Sequence, residues 1–237
     1  MSRAAKASKS KSSPASGKTG GVARILIVDD HPVLRAGLGR LINSKAGFTV
    51  CGEAGDAAEG LELVRSLKPN LVIVDITLPG ASGLVLTKNI RTEFPKTPVL
   101  VLSMHEEVLY AVRALRAGAA GYIIKQDAID NIATALRQVL DGERYISPSI
   151  AGQLIAKSGV ELASGDGGDP TAVLSDRELE ILELIGRGQE VRDIAKELEL
   201  SPKTVEAHRA HIKSKLNLQN ARQVARFAVQ WIYGQSN

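Results

Sequence analysis

Between positions 24 and 124 the chain repeats one alternation. A short, nearly unbroken apolar run rich in β-branched residues is followed by a longer stretch whose apolar positions recur at helical spacing. The runs fall at 25–28, 49–51, 71–74, 99–102 and 122–124. Runs this short and continuous predict strands covered on both faces, since a strand with one wet face would alternate apolar and polar residues. The intervening stretches carry helical sets such as Leu61, Val64, Arg65 and Leu67, or Val108, Ala111, Val112 and Leu115. Glu106 and Glu107 are favourably placed at the start of the second set. Strands joined by helices of this length predict right-handed crossovers and an α/β doubly wound five-stranded parallel sheet over residues 23–143.

Past that point the pattern changes. Residues 144–170 predict a linker: 159–170 read GVELASGDGGDP, with many turn-permissive positions and no apolar period. A short helix is expected at 149–157, where Ile150, Leu154 and Ile155 cluster on one side. Residues 171–237 then predict a small all-α domain of four helices. Its first helix opens on the capping box Ser175-Asp-Arg-Glu178, buries Leu179, Ile181, Leu182 and Ile185, and ends at Gly186 and Gly188. A second, short helix carries Ile194, Ala195 and Leu198. The third begins at Ser201-Pro202, a hydroxyl cap followed by proline at the first helical position, and buries Val205, Ile212 and Leu216.

Composition narrows the picture. The chain is 44% hydrophobic and 24% charged over 237 residues, enough for two modest globular domains. Aromatics at 3% argue against a stacking platform for single-stranded nucleic acid, because such platforms need a ring for each of several bases. The single cysteine, Cys51, has no partner for a disulfide or a zinc site and reads as a small buried residue, which suits a reducing cytoplasm. No apolar run approaches the roughly 18–20 residues needed to span a bilayer. The net charge of +4 is concentrated in residues 1–22, where Arg3, Lys6, Lys9, Lys11 and Lys18 meet no acid. That segment predicts a disordered basic tail, transit-peptide-like only in composition.

The strand ends carry the chemistry. Asp29 and Asp30 follow the first strand, Asp75 the third, Ser103 the fourth and Lys125 the fifth. In a parallel sheet these ends share one edge, where ligands bind. An acid at one strand end is by itself an ordinary solvated turn; three acids, a hydroxyl and an ammonium in register predict a site. Clustered carboxylates call for a hard divalent cation, and Mg²⁺ prefers few carboxylates together with phosphate oxygens. Asp75 would then accept a phosphoryl group as an acyl phosphate, with the metal and Lys125 offsetting the developing charge.

The segments ILIVDDHP, LVIVDITLPG, VLVLSMH and AAGYIIK resemble the receiver domain of two-component response regulators across the whole first domain, which implies a flavodoxin-like fold. The resemblance implies that Asp75 is the phosphoacceptor and that Asp29, Asp30 and the Thr77 carbonyl join it in holding Mg²⁺. It further implies that Ser103 and Tyr122 form a switch pair, in which the hydroxyl moves toward the phosphoryl group and the ring follows.

In the helical domain, Lys203, Glu206, Ala207, Ala210, Lys213 and Ser214 face away from the buried stripe of the third helix. From Lys203 to Arg226 there are six Lys or Arg against the single acid Glu206. A charged helix face is ordinarily just solvated, but LSDRELEILELIGRG and IAKELELSPKTVEAHRAHIKSKLNL resemble the LuxR-type helix-turn-helix, and its union with a receiver resembles the NarL/FixJ subfamily. The resemblance implies DNA contacts by Lys203, Thr204, Glu206, Ala207, Ala210 and Lys213, and dimer contacts by Val224, Phe227, Ala228 and Trp231 on the fourth helix, 221–233. It also implies its partners: double-stranded DNA, a sensor histidine kinase, RNA polymerase and, after phosphorylation, a second copy. No membrane is among them. Two positions depart from the pattern: Glu190 where a polar cap usually opens the second helix, and Glu206 where Lys often contacts DNA. Glu206 is suited to accept from cytosine N4 instead. His208 is expected to pack or hydrogen-bond rather than bind metal.

Other functions use similar parts. An aspartyl-phosphate hydrolase needs an acid two residues after the nucleophile, where this chain has Thr77, so no enzyme activity is expected. A dinucleotide-binding sheet needs a Gly-rich first turn, and here the turn is Asp-Asp-His-Pro. The alternative that keeps the DNA-binding end is a regulator that binds independently of phosphorylation and uses the receiver only to dimerise.

Overall fold

The computed structural model describes residues 21–104, 108–161 and 170–234. The basic tail up to residue 20, Glu106 and Glu107, and the Gly/Asp-rich 162–169 lie outside the described residues.

The first domain alternates β1 (Ala23–Val28), α1 (Pro32–Asn43), β2 (Phe48–Ala54), α2 (Ala57–Leu67), β3 (Leu71–Asp75), α3 (Gly83–Glu93), β4 (Val99–Ser103), α4 (Val108–Arg116), β5 (Gly121–Ile124) and α5 (Lys125–Leu140). All strands pair in parallel in the order β2-β1-β3-β4-β5-β6, where β6 is the two-residue Tyr145–Ile146. Within each strand successive side chains enter opposite cores. Ile25, Ile27, Leu71, Ile73, Leu100, Leu102 and Ile123 pack toward α1 and α5. Leu26, Val28, Val72, Val74, Val99, Val101, Tyr122 and Ile124 pack toward the helices on the other side. Both faces are thus buried, at about 1.5–3 kcal/mol for each large aliphatic side chain, which is why these strands read as unbroken apolar runs.

The sheet has six strands, not five. Tyr145–Ile146 extends it beside β5, with Gly121 opposite Tyr145 and Tyr122 opposite Ile146. Ser147 secures the edge, accepting from Ile124 N at 3.0 Å and donating its own N–H to Tyr122 O at 3.0 Å. A strand of two residues has no hydrophobic period to detect, so the segment reads as linker. The expected short helix is longer, α6 (Pro148–Glu161), and Ile150 on it is fully buried.

A short 3-10 turn, Pro170–Val173, leads into the second domain: α7 (Asp176–Gly186), α8 (Val191–Glu197), α9 (Pro202–Lys215) and α10 (Ala221–Gly234). The capping box forms, with Glu178 N donating to Ser175 Oγ at 3.3 Å and Ser175 N to Glu178 Oε2 at 2.7 Å. Ser201 caps α9 by accepting from Thr204 N at 3.0 Å. Glu190 sits at the N-cap of α8 and makes no side-chain cap bond. Gly186 marks where α7 meets α10: a Cβ there would lie 2.7 Å from Ala228 O, so only glycine allows this approach.

Candidate phosphoacceptor pocket and DNA-binding face

The edge of the sheet gathers the expected groups. Asp75, 2% exposed at the end of β3, accepts from Lys125 Nζ at 2.6 Å. The same ammonium lies 2.9 Å from Asp29 Oδ2. Asp29 is fully buried, whereas Asp30 reaches solvent. α3 begins directly against the backbone of Asp75: a Cβ on Gly83 would fall 1.8 Å from Asp75 O, so the approach requires glycine. Ser103 and Tyr122 are fully buried, and Thr77 lines the cavity with Asp75 and Lys125. Cys51 is half-buried on β2 rather than buried.

Burial pushes the Asp75 carboxyl up to about 6; Lys125 pulls it down, while the negative charges of Asp29 and Asp30 push it up again. The Lys125 ammonium is held above its ordinary value by Asp75 and Asp29 despite its burial. The pocket is therefore short of positive charge. Asp29, Asp30, His31 and Asp75 each offer a donor atom within 4.8 Å of the others. An oxygen-dominated set of this size fits a hard divalent cation.

His31 is the member that the sequence did not single out. Its Nδ1 lies 2.5 Å from Asp30 Oδ1, and its backbone N–H donates to Asp29 Oδ1 at 2.8 Å. Its adjacency to the Asp pair was the available signal.

On the second domain, Lys203, Glu206, Ala207 and Ala210 are exposed along α9, with Thr204 and Lys213 half-buried beside them. Glu206 pairs with Arg209 at 3.0 Å. Nearby, Glu178, His208 and His211 also bring donor atoms within 4.8 Å. Glu178 is already committed to Ser175 N and, at 2.6 Å, to Lys215 Nζ, whose charge opposes a metal ion. Burial lowers the His208 pKa, and its buried Nδ1 has no hydrogen-bond partner among the described residues.

Comparison with known proteins matches residues 25–137 to the response regulator receiver domain and residues 172–228 to the bacterial regulatory proteins of the luxR family. Oxygen regulatory protein NreC of Staphylococcus epidermidis is 37% identical over 212 residues, covering 87% of this chain and 97% of NreC. The chain belongs to the luxR-family response regulators. It is thus a DNA-binding response regulator of a two-component system. A luxR-family response regulator from Aurantimonas, 40% identical, aligns with 60% of this chain and all of its own at a TM-score of 0.57. RcsB, solved as two dimers bound to two parallel DNAs, is 26% identical and aligns at 0.54 over 86% of this chain and 97% of its own.

The fourth helix does not offer the expected dimer face: Val224, Ala228 and Trp231 are buried in their own domain's core and only Phe227 is partly exposed. A small four-helix domain has too little core to spare the apolar stripe of its last helix, so α10 spends it on α7. The surface of α10 consists instead of residues such as Arg222, Arg226, Val229 and Gln230.

The two domains also make direct contacts at their boundary. Arg113 of α4 donates to Asp176 at 2.8 Å, to Leu174 O at 2.9 Å and to Thr171 O at 3.0 Å. Tyr110 of α4 donates to Glu183 of α7, and Arg177 of α7 reaches Leu78 O on the loop after β3. Tyr110, Ala111 and Ala114 share one buried cluster with Leu174, Leu179 and Leu182. Nothing in the sequence marks these pairs, because each member reads as an ordinary residue of its own segment.

Proposed function

We propose that Asp75 is the residue phosphorylated in this response regulator and that its modification controls DNA binding through α9. The observation that carries this reading is the buried Asp75 carboxylate held 2.6 Å from Lys125 at the carboxyl edge of the sheet, beside Asp29. In the reaction an Asp75 oxygen attacks the phosphorus of a phosphohistidine on a sensor kinase; the P–O bond forms, the P–N bond breaks, and the imidazole leaves. Lys125 stabilises negative charge on the phosphoryl oxygens. Asp29, Asp30, Asp75 and the Thr77 carbonyl would hold Mg²⁺, which supplies further charge neutralisation. Ser103 would then close on the phosphoryl oxygens with Tyr122 following, a two-state element biased by local charge.

Downstream, Lys203 and Lys213 suit phosphate contact, while Thr204, Glu206, Ala207 and Ala210 face base edges when α9 lies in the major groove. RcsB, solved as two dimers bound to two parallel DNAs, supports binding as a dimer; in this chain the exposed side of α10 would make the contact and the dimer would read paired half-sites. RNA polymerase is the expected further partner of the DNA-bound form. The test is DNA affinity with and without acetyl phosphate and Mg²⁺, for the wild type and Asp75→Asn. Tighter binding on phosphorylation, lost in the variant, is expected; equal affinity throughout would favour the phosphorylation-independent regulator.

A further inference from the structure

Glu206 and Arg209 stand about one turn apart on α9, and the guanidinium Nη1 donates to Glu206 Oε1 at 3.0 Å. The two side chains are unequally placed. Glu206 is 58% exposed, on the face that carries Lys203, Ala207 and Ala210, whereas Arg209 is 22% exposed. Arg209 flanks that face and lines a cleft together with Ile185, Ile194 and Ala225. Its Nε is buried and has no hydrogen-bond partner among the described residues. An arginine that serves phosphate presents its whole fork to solvent; this one is packed along its stem and gives its Nη1 to a neighbouring carboxylate.

That placement bears on what a carboxylate does in the major groove. A mobile glutamate on a DNA-reading helix is repelled by the phosphates and samples many rotamers, so it selects bases poorly. Two things make it a reader: a counter-charge that offsets the repulsion, and a fixed orientation. Arg209 supplies both. An exposed ion pair at this spacing is ordinarily weak, because two long side chains must be ordered to form it. Here the packing of the arginine stem has already ordered one of them. Arg209 engages only Oε1, which leaves Oε2 available to accept from a base. Cytosine offers its N4 donor in the major groove, where thymine offers the O4 acceptor.

We propose that Arg209 is a positioning residue for DNA recognition: it holds Glu206 as a fixed acceptor on α9, and the pair gives the protein a preference for cytosine over thymine at one base of its site. The inference rests on the reading of α9 as the helix that enters the major groove with Glu206 toward the bases. Arg209 itself touches neither base nor phosphate; it acts through the carboxylate it orients.

The full chain, treated with acetyl phosphate and Mg²⁺, is used to select sites from a randomised double-stranded DNA pool, and affinities are measured on the selected duplex and its single-base variants at several salt concentrations. Glu206→Ala, Arg209→Met and Arg209→Lys are compared with the wild type. Arg209→Met keeps the packed stem and removes the guanidinium, and circular dichroism checks that the helices are intact. A wild-type preference for cytosine over thymine of about five- to tenfold at one position is expected, falling to about twofold or less in Glu206→Ala and Arg209→Met and partly restored in Arg209→Lys. The salt dependence of Arg209→Met should match that of the wild type. Retention of the full preference in Arg209→Met overturns the positioning role while leaving Glu206 as a reader. Binding weakened alike on all duplexes, with the salt dependence reduced by about one phosphate contact, makes Arg209 a phosphate ligand and overturns it too. An unchanged preference in Glu206→Ala overturns the reading of Glu206 itself, and the proposal with it.

Discussion

Tyr110 on α4 donates its hydroxyl hydrogen to Glu183 on α7 at 2.7 Å, joining two buried side chains 73 positions apart in different domains. Tyr110 is fully buried and Glu183 is 1% exposed, so neither group has water as a substitute. Tyr110→Phe removes the donor at nearly constant shape and leaves the carboxylate short of a partner, at a cost of about 1–3 kcal/mol. The expected signature is faster hydrogen exchange in α4 and α7 with that of β1 and β3 unchanged. Unaltered exchange in α7 would show that the bond contributes nothing to domain packing.

Asp75 gives a prediction with a sign. Its carboxyl is pushed up to about 6 in the fold from an ordinary value of 3.8, so between these values the folded chain holds more protons than the unfolded one. Stability from this group is therefore lost as pH rises through that window, and at pH 7 the charged Asp75 is a burden. Without Mg²⁺, Asp75→Asn is expected to match the wild type near pH 4 and to exceed it by on the order of 1–3 kcal/mol at pH 7. Mg²⁺ should narrow the difference by stabilising only the wild type. Thermal denaturation across pH checks this, and a variant less stable than wild type at pH 7 contradicts it.

Removing the other partner acts the opposite way. Lys125→Met leaves Asp29 and Asp75 buried together without their shared cation, which costs about 3–5 kcal/mol when both are ionised. The loss is expected at pH 7 and should shrink near pH 5, where Asp75 takes up a proton. A pH-independent loss in denaturation experiments would point to packing instead of charge.

On α10, Trp231→Ala is expected to unfold the second domain, at about 3–5 kcal/mol for a buried aromatic, instead of producing a folded monomer. Val229, 42% exposed, is the position for separating fold from assembly: Val229→Asp should keep the helical circular dichroism while weakening the phosphorylated dimer in sedimentation. An intact dimer in that variant would place the contact elsewhere.

For DNA binding, Lys203→Ala and Lys213→Ala are each expected to weaken all sites alike and to reduce the salt dependence by about one phosphate contact. Glu206→Ala should instead change sequence preference, because a carboxylate accepts from cytosine N4 but repels phosphate. Binding isotherms at several salt concentrations, on specific and random duplexes, separate the two behaviours.

Much of this was legible in the chain itself. The parallel sheet was, because strands buried on both faces must be apolar at every position, as Leu71 to Val74 are. So were Asp29, Asp75 and Lys125, because a parallel sheet brings strand ends to one edge wherever they stand in sequence. The capping box at Ser175 and the proline at the start of α9 are local signals, written within four residues, and both form.

Tertiary structure decided the rest. Tyr145–Ile146 becomes a strand only because β5 offers an open edge, and Val224, Ala228 and Trp231 become core and not interface because α7 is there to receive them. The contact between Tyr110 and Glu183 is of the same kind. Hydrophobic period and strand-end chemistry are properties of a segment and survive in one dimension. Which of two apolar or charged faces meets which neighbour depends on the competing partners that folding brings within reach, and no single segment carries that information.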